Sequence, residues 1–355
     1  MKPLLAMTAV ATMSCAALGD PEMPTQFFTE NTVMVAQVDL TALTPQAIRD
    51  TVYAVLDFDE IGKLSIGRDM KQQIDAAMAQ VGQVSMITGM LSSQGADTIS
   101  IVMMAPEEAD GEPSVFVLLP ASSEQSAQQM GQMFGGMLAP QGFMTGYTGQ
   151  YNDDTEAVDH WVYFAQGSVD IPEDAWSPRV QGEFDEAMSS MGDWPMKLAV
   201  VPNLLMRDMV LDQVPQEPAF LAPLARTAME AEWMGLWVEL GTNPEIGLGA
   251  QMADEADADI MQGSYAAAME MLMEEARKAD ADAREDEDYE GPLPSEMASF
   301  VRDALQMERS GSRIRVKLDK AELRGMTTMM FQIADGMGEG LGEMMGEIGN
   351  PFGGN

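Results

Sequence analysis

Cysteine and histidine are almost absent: the 355 residues hold one of each, Cys15 and His160. Thiol nucleophiles, Ser-His-Asp relays, zinc modules and haem ligation are therefore poor starting points. Basic residues are scarce too, with 19 Lys and Arg against 57 Asp and Glu and a formal net charge of -38. A surface of that sign repels phosphate backbones and anionic lipid, which excludes nucleic-acid binding as a function class. It suits salt-screened surroundings, where carboxylate repulsion is damped within about 8 to 10 Å. Beyond the N-terminus the chain has no run of about 18 apolar residues, so no membrane span is expected after signal removal. Hydrophobic residues nevertheless make up 46% of the chain, enough for a sizeable core in two domains or one duplicated domain.

The N-terminus reads as an export signal. Lys2 precedes an apolar run from Leu4 to Met13, followed by Ser14-Cys15-Ala16-Ala17-Leu18-Gly19 ahead of Asp20 and Pro21. Charge, apolar stretch and small-residue site in that order are what signal peptidase reads, with cleavage after Gly19 or Ala17. The expected location is the periplasm or the extracellular space. Cys15 raises lipid anchoring as a lesser reading, since Thr12-Met13-Ser14 lacks the leucine usual three positions before a lipidated cysteine.

Methionine is abundant, with 35 residues. Groups such as Met269-Met271-Met273, Met326-Met329-Met330 and Met344-Met345 invite a Cu(I) reading, because soft thioethers suit a soft ion. Their spread along the whole chain at core-type positions favours methionine as apolar filler, and neither metal nor cofactor is assigned.

Alternating and helical patterns give the organisation. Strands are expected at Thr32 to Leu40, Thr98 to Met104, Ser114 to Leu119 and twice within Gly142 to Ala165, with helices at Pro45 to Leu56, Arg68 to Leu91 and Ser122 to Leu138. The second part replays this order. Strands at Met196 to Val201, Glu232 to Gly241, Glu245 to Met252 and Arg313 to Asp319 combine with helices at Asn203 to Val214, Asp254 to Lys278 and Pro294 to Met307. Similar strand-to-helix junctions recur at Val38-Asp39-Leu40-Thr41-Ala42-Leu43, Val201-Pro202-Asn203-Leu204-Leu205 and Leu318-Asp319-Lys320-Ala321-Glu322-Leu323. The expected fold class is α+β: two similar halves in ferredoxin-like order, β-α-β-β-α-β, with a mainly antiparallel sheet. The divisions are a signal peptide at 1–19, a first unit at 20–193, a second at 194–324 and a Gly/Met-rich C-terminal segment at 325–355. In that last segment a helix from Lys320 to about Asp335 is expected to fray where glycines, each costing about 0.8 to 1 kcal/mol relative to alanine, accumulate.

The stretches from Pro244 to Lys278 and from Glu308 to Leu323 resemble the second module of exported bacterial proteins of the planctomycete type. That resemblance implies a duplicated α+β fold and carries over no catalytic residue.

Four constellations are candidates for function. The strand Val158 to Ala165 alternates Val158, His160, Val162 and Phe164 with Asp159, Trp161 and Tyr163, and its expected partner presents Tyr147 and Tyr151. An aromatic platform of Tyr147, Tyr151, Trp161 and Tyr163 would suit a saccharide or other planar ligand, against the alternative that these rings are core; Trp233 and Trp237 offer a counterpart. His160 is expected against the core, since Asp159 points to the opposite face and cannot easily pair with it. Carboxylates crowd Asp280 to Glu290 and Asp153 to Asp159, read as solvated loops with weak calcium binding as the alternative. Arg313, Arg315 and Lys317 form a basic stripe on one strand face, either paired with neighbouring acids or open to an anionic ligand or acidic partner. The leading reading is a non-enzymatic exported protein acting through a binding or structural surface on a protein or saccharide partner. A hydrolase built on carboxylates alone, or a weak Ca or Cu(I) binder, is the alternative.

Overall fold

Apolar residues at alternate positions make strands that bury one or both faces, and the computed structural model of the chain aligns ten of them in one sheet. It describes residues 23–64, 67–106, 111–152, 157–167, 176–213, 221–285 and 292–336. The strands are β1 (Thr32–Asp39), β2 (Thr98–Met104), β3 (Ser114–Ala121), β4 (Met144–Asn152), β5 (Ala157–Gln166), β6 (Met196–Val200), β7 (Trp233–Glu239), β8 (Glu245–Gln251), β9 (Met307–Ser310) and β10 (Arg313–Leu318). They lie in the order β4-β5-β3-β2-β1-β6-β7-β8-β10-β9, and every neighbouring pair is antiparallel. The helices are α1 (Pro45–Val55), α2 (Phe58–Ile61), α3 (Gly67–Ser93), α4 (Glu124–Leu138), α5 (Pro178–Met191), α6 (Leu204–Gln213), α7 (Leu221–Ala228), α8 (Glu255–Glu285), α9 (Pro294–Ala304) and α10 (Lys320–Gly336).

The molecule is α+β, but its strand pairing is not that of a split βαβ unit. Such a unit keeps β1 and β2 parallel with another strand between them. Here β1 pairs β2 directly and antiparallel. The cause is the connection: α1 and α3 pack on each other, so the chain makes a helical excursion and comes back to the end where β1 stopped. Leu40 N–H donates to Asp97 O at 2.7 Å at that junction. Read outward from the central β1/β6 pair, both sides follow the order first, second, third, fifth, fourth strand. Bonds across the centre are two-fold related: Asp39 N–H donates to Pro195 O at 3.3 Å and Val201 N–H to Val33 O at 3.0 Å.

Core packing ignores the 193/194 division. α5 follows β5 yet packs on β6 and β7. Its buried residues Val180, Phe184, Ala187, Met188 and Met191 form a helical stripe, and they join Val35, Val102, Phe116, Leu118, Trp161, Ala199, Trp233 and Trp237 from both halves of the sheet. Phe27 and Phe28, from the segment ahead of β1, complete this layer: the Phe27 ring meets Phe116 at 5.3 Å and Tyr163 at 5.5 Å between centroids. On the opposite face, α4 and the end of α3 cover Leu119, Val162 and Phe164, while α8 covers Ala250 and Ile314. Methionine contributes to these layers through Met34, Met104, Met130, Met188, Met191, Met252 and Met273, all buried.

The helix expected from Pro294 to Met307 ends at Ala304, and Met307–Ser310 becomes the edge strand β9 instead. α10 runs from Lys320 to Gly336 and packs on α1, α2 and α9, with Arg324 Nε 3.4 Å from Asp57 Oδ2. The signal at Met1 to Gly19, the tail beyond Gly336 and the acidic stretches 153–156 and 286–291 lie outside the described residues. Among the described residues, no helix is long and apolar enough to cross a membrane.

Candidate functional site

α5 starts where it does because Ser177 accepts the Val180 N–H at its N-cap and Pro178 occupies the first helical position. Once the apolar stripe turns inward, Arg179, Glu183 and Glu186, spaced four and three residues apart, share the flank beside it. A second wall comes from the end of β6. There Val201 and Pro202 lead to Asn203, whose Oδ1 accepts the Met206 N–H at 2.8 Å and so starts α6, setting Arg207 one turn further on. The third wall is Ala231, Glu232 and Trp233, where the chain enters β7 and Glu232 N–H donates to Gln251 O at 2.8 Å. Between them lies a cleft of about 330 Å³. That volume is at the lower end of small-molecule sites, about 300 to 1,000 Å³.

The charges around this cleft are unevenly matched. Arg179 bridges Glu183 Oε1 and Glu30 Oε2, both at 2.6 Å, and Ser177 Oγ donates to Glu30 Oε1 at 2.5 Å. The Ser177 and Arg179 bonds hold the Glu30 carboxyl below the usual carboxylate range. Arg207 reaches Glu230 at 3.4 Å, and Arg313 reaches Glu186 at 3.5 Å. Glu232 has no cationic side chain in ion-pair distance among the described residues. Loss of water around its carboxylate, then repulsion from Glu186 and Glu183, raises its pKa above the ordinary value.

Three buried polar atoms on residues lining this same cleft have no hydrogen-bond partner: Glu183 Oε2, Arg207 Nε and Trp233 Nε1. The Trp233 residue is 5% exposed. A buried polar group left unpaired costs about 1 to 3 kcal/mol, so two donors and an acceptor around one cavity are a strong local anomaly. The lining residues carry N–H groups on Arg179, Arg207 and Trp233 and carboxylates on Glu183, Glu186 and Glu232.

The aromatic residues expected to form one platform are divided between the two faces of the sheet. Trp161 pairs with Thr148 and Tyr163 with Gly146, whereas Tyr147 pairs with Val162 and Tyr151 with Val158. Trp161 is 1% exposed and Tyr163 packs against Phe27 and Phe116, so both are core. Tyr147 and Tyr151 are exposed on the other face, the Tyr147 ring lying against Gly131 of α4 where a Cβ would collide with it. His160 is half-buried on that face beside Gly149.

The basic stripe is satisfied from within. Arg313 donates to Gln251 Oε1 at 2.9 Å, Arg315 donates to Ser190 O at 3.1 Å and lies over the Trp237 ring, and Lys317 meets Glu245 at 2.9 Å. Asp280 takes the Ser295 N–H at 2.9 Å and the Ser295 hydroxyl at 2.6 Å, a helix-capping role. Among the described residues no group of three or more His, Cys, Asp or Glu is placed to hold a metal ion.

Sequence reading passed over Arg179, Glu183, Glu186, Arg207 and Glu232. Ser177-Pro178 followed by apolar residues at 180, 184, 187, 188 and 191 is a complete helix-start signal and the clue to the first three. Nothing local marks Glu232, because its significance comes from carboxylates of α5 that lie more than 45 residues away in sequence. No protein-family model, curated protein or solved structure matches the chain.

Proposed function

We propose that this chain is an exported binding protein that holds a small organic cation, a primary ammonium with a neighbouring oxygen acceptor, in the cleft between α5 and the start of β7. The observation that carries this reading is that three residues lining one cavity, Glu183, Arg207 and Trp233, each hold a buried polar atom without a partner, beside Glu232, which meets no cationic side chain among the described residues. An ammonium between Glu183 and Glu232 offsets the repulsion that raises the Glu232 pKa, and an adjacent carbonyl or hydroxyl oxygen accepts from Arg207 and Trp233. The reading is non-enzymatic: the site supplies charge and hydrogen bonds. Export rests on the Lys2 to Gly19 pattern, and descent of the two halves from one duplicated unit is supported by their shared strand order.

Titration calorimetry with glycinamide tests the binding reading, with acetamide as the uncharged analogue and acetate as the anionic one. Glycinamide should bind and the other two should not. Glu232→Gln should weaken glycinamide by about tenfold, the scale of one lost charge-assisted hydrogen bond of about 1.5 kcal/mol. Binding should also weaken as pH falls through the raised Glu232 pKa, because the protonated carboxyl no longer attracts the ammonium. Equal heats from glycinamide and acetamide would refute the cationic assignment.

A further inference from the structure

The residues that line the cleft differ in depth as well as in charge. Val201, Pro202, Ala231 and Trp233 are buried, whereas Arg179, Glu186 and Glu232 are exposed and Glu183 and Arg207 lie between. A ligand arriving from solvent therefore passes charged side chains before it reaches apolar residues. Those apolar residues are fixed in place, because Val201 and Trp233 belong to the core layer that α5 covers and Ala231 to the layer under α8. The cations of the cleft are already engaged: Arg179 lies between Glu183 and Glu30, and Arg207 meets Glu230. A ligand carboxylate would have to displace one of these pairs, and it would meet Glu186 and Glu232 besides. A neutral carbonyl oxygen meets no such conflict, and Arg207 and Trp233 each keep an N–H without a partner.

We infer that the group seated in this cleft is the amino terminus of a peptide chain whose first side chain is apolar, an inference that rests on the cationic reading of the cleft. Such a terminus carries all three features on one carbon. Its ammonium answers the carboxylates of Glu183 and Glu232, its first carbonyl is a neutral acceptor for Arg207 and Trp233, and its side chain meets the buried residues Val201, Pro202 and Ala231. A free amino acid matches less well, because it sets a carboxylate where the cations are already paired. A simple alkylamine lacks the oxygen. At about 330 Å³ the cleft is small, and Arg179, Glu186 and Glu232 reach solvent, so the first residue is enclosed and the following chain leaves past them.

Titration calorimetry on the unmodified chain at pH 7 compares leucinamide with glycinamide, leucyl-glycyl-glycinamide, free leucine and N-acetylleucinamide. Leucinamide should bind at least about fourfold more tightly than glycinamide, the return for one buried methylene, and with a more negative heat-capacity change. Leucyl-glycyl-glycinamide should match leucinamide, free leucine should bind about tenfold more weakly, and N-acetylleucinamide should give no heat. Glycinamide as tight as leucinamide, or free leucine as tight as leucinamide, would overturn the inference while leaving an ammonium site in place. Loss of binding on extension to leucyl-glycyl-glycinamide would overturn it as well, by assigning the cleft to a small free amine. Absence of heat from every ammonium, or equal binding of the acetylated compound, would remove the cationic reading itself and the inference with it.

Discussion

Glu232→Gln should make the free protein more stable while weakening its grip on an ammonium. In the folded chain the Glu232 pKa is raised, first by burial and then by Glu186 and Glu183. A carboxyl with a raised folded pKa opposes folding when ionised, so the wild type gains stability as pH falls through that pKa, and the neutral amide should match that gain at pH 7. Glu232 is open to solvent, so the effect is on the scale of exposed charge–charge interactions, about 0.2 to 1 kcal/mol. For a chain of this size that is about 1 to 3 °C in Tm. Scanning calorimetry at pH 7 and near pH 4 measures it. The variant should melt higher at pH 7, and the gap should shrink on acidification because the wild-type carboxyl is then protonated too. A variant that melts lower at pH 7, or a gap that widens in acid, would refute the electrostatic account of the cleft.

The other expectations concern the frame around the cleft. Phe184→Ala, in the layer that joins both halves, should cost about 3 to 5 kcal/mol in urea unfolding. Gly247→Ala should cost about 1 to 3 kcal/mol, because a Cβ there collides with the Trp237 indole, while Gly263→Ala, with open space around it, should be neutral or stabilising by the same assay. Added Cu(I) should leave Tm unchanged, since a ligand stabilises only by binding the folded state more tightly, and Met269, Met271 and Met273 differ in exposure, with Met273 buried and Met271 at 46%.

Much of the sheet was legible because its signal is local. Val33 to Val38 is a nearly continuous apolar run buried on both faces, and the observed bounds of β2, β7 and β8 lie within a residue or two of those expected. The strand order was not legible, because the difference between a single crossover and a helical excursion lies in how α1 and α3 pack. β9 was hidden for a related reason: Met307-Glu308-Arg309-Ser310 has no apolar period of its own and is a strand because β10 offers it an edge. The aromatic candidates show the opposite failure. Alternation correctly separates Trp161 and Tyr163 from His160, yet register decides which face Tyr147 shares, and the antiparallel partner shifts it to the side of Val162.

The position of the cleft follows from one backbone difference between the halves. Pairing of β1 with β2 sets Asp39 opposite Thr98, and continuing that register sets Leu40 beside Asp97. Pairing of β6 with β7 sets Val200 opposite Met234, so the same continuation sets Val201 opposite Trp233 and Pro202 beside Glu232. In the first half Leu40 N–H donates to Asp97 O at 2.7 Å and the ladder closes past the strand ends. Proline has no N–H, so at Pro202 the equivalent bond cannot form. Pro202, Glu232 and Trp233 line the cavity at that point, whereas Leu40 and Asp97 are joined by their hydrogen bond. α5 then runs past the gap with Glu183 and Glu186 on the flank beside its buried stripe, which supplies the repulsion felt by Glu232. A site of this origin is restricted to one half of the sheet, and its ligand groups come from three separate segments that only the folded chain brings together.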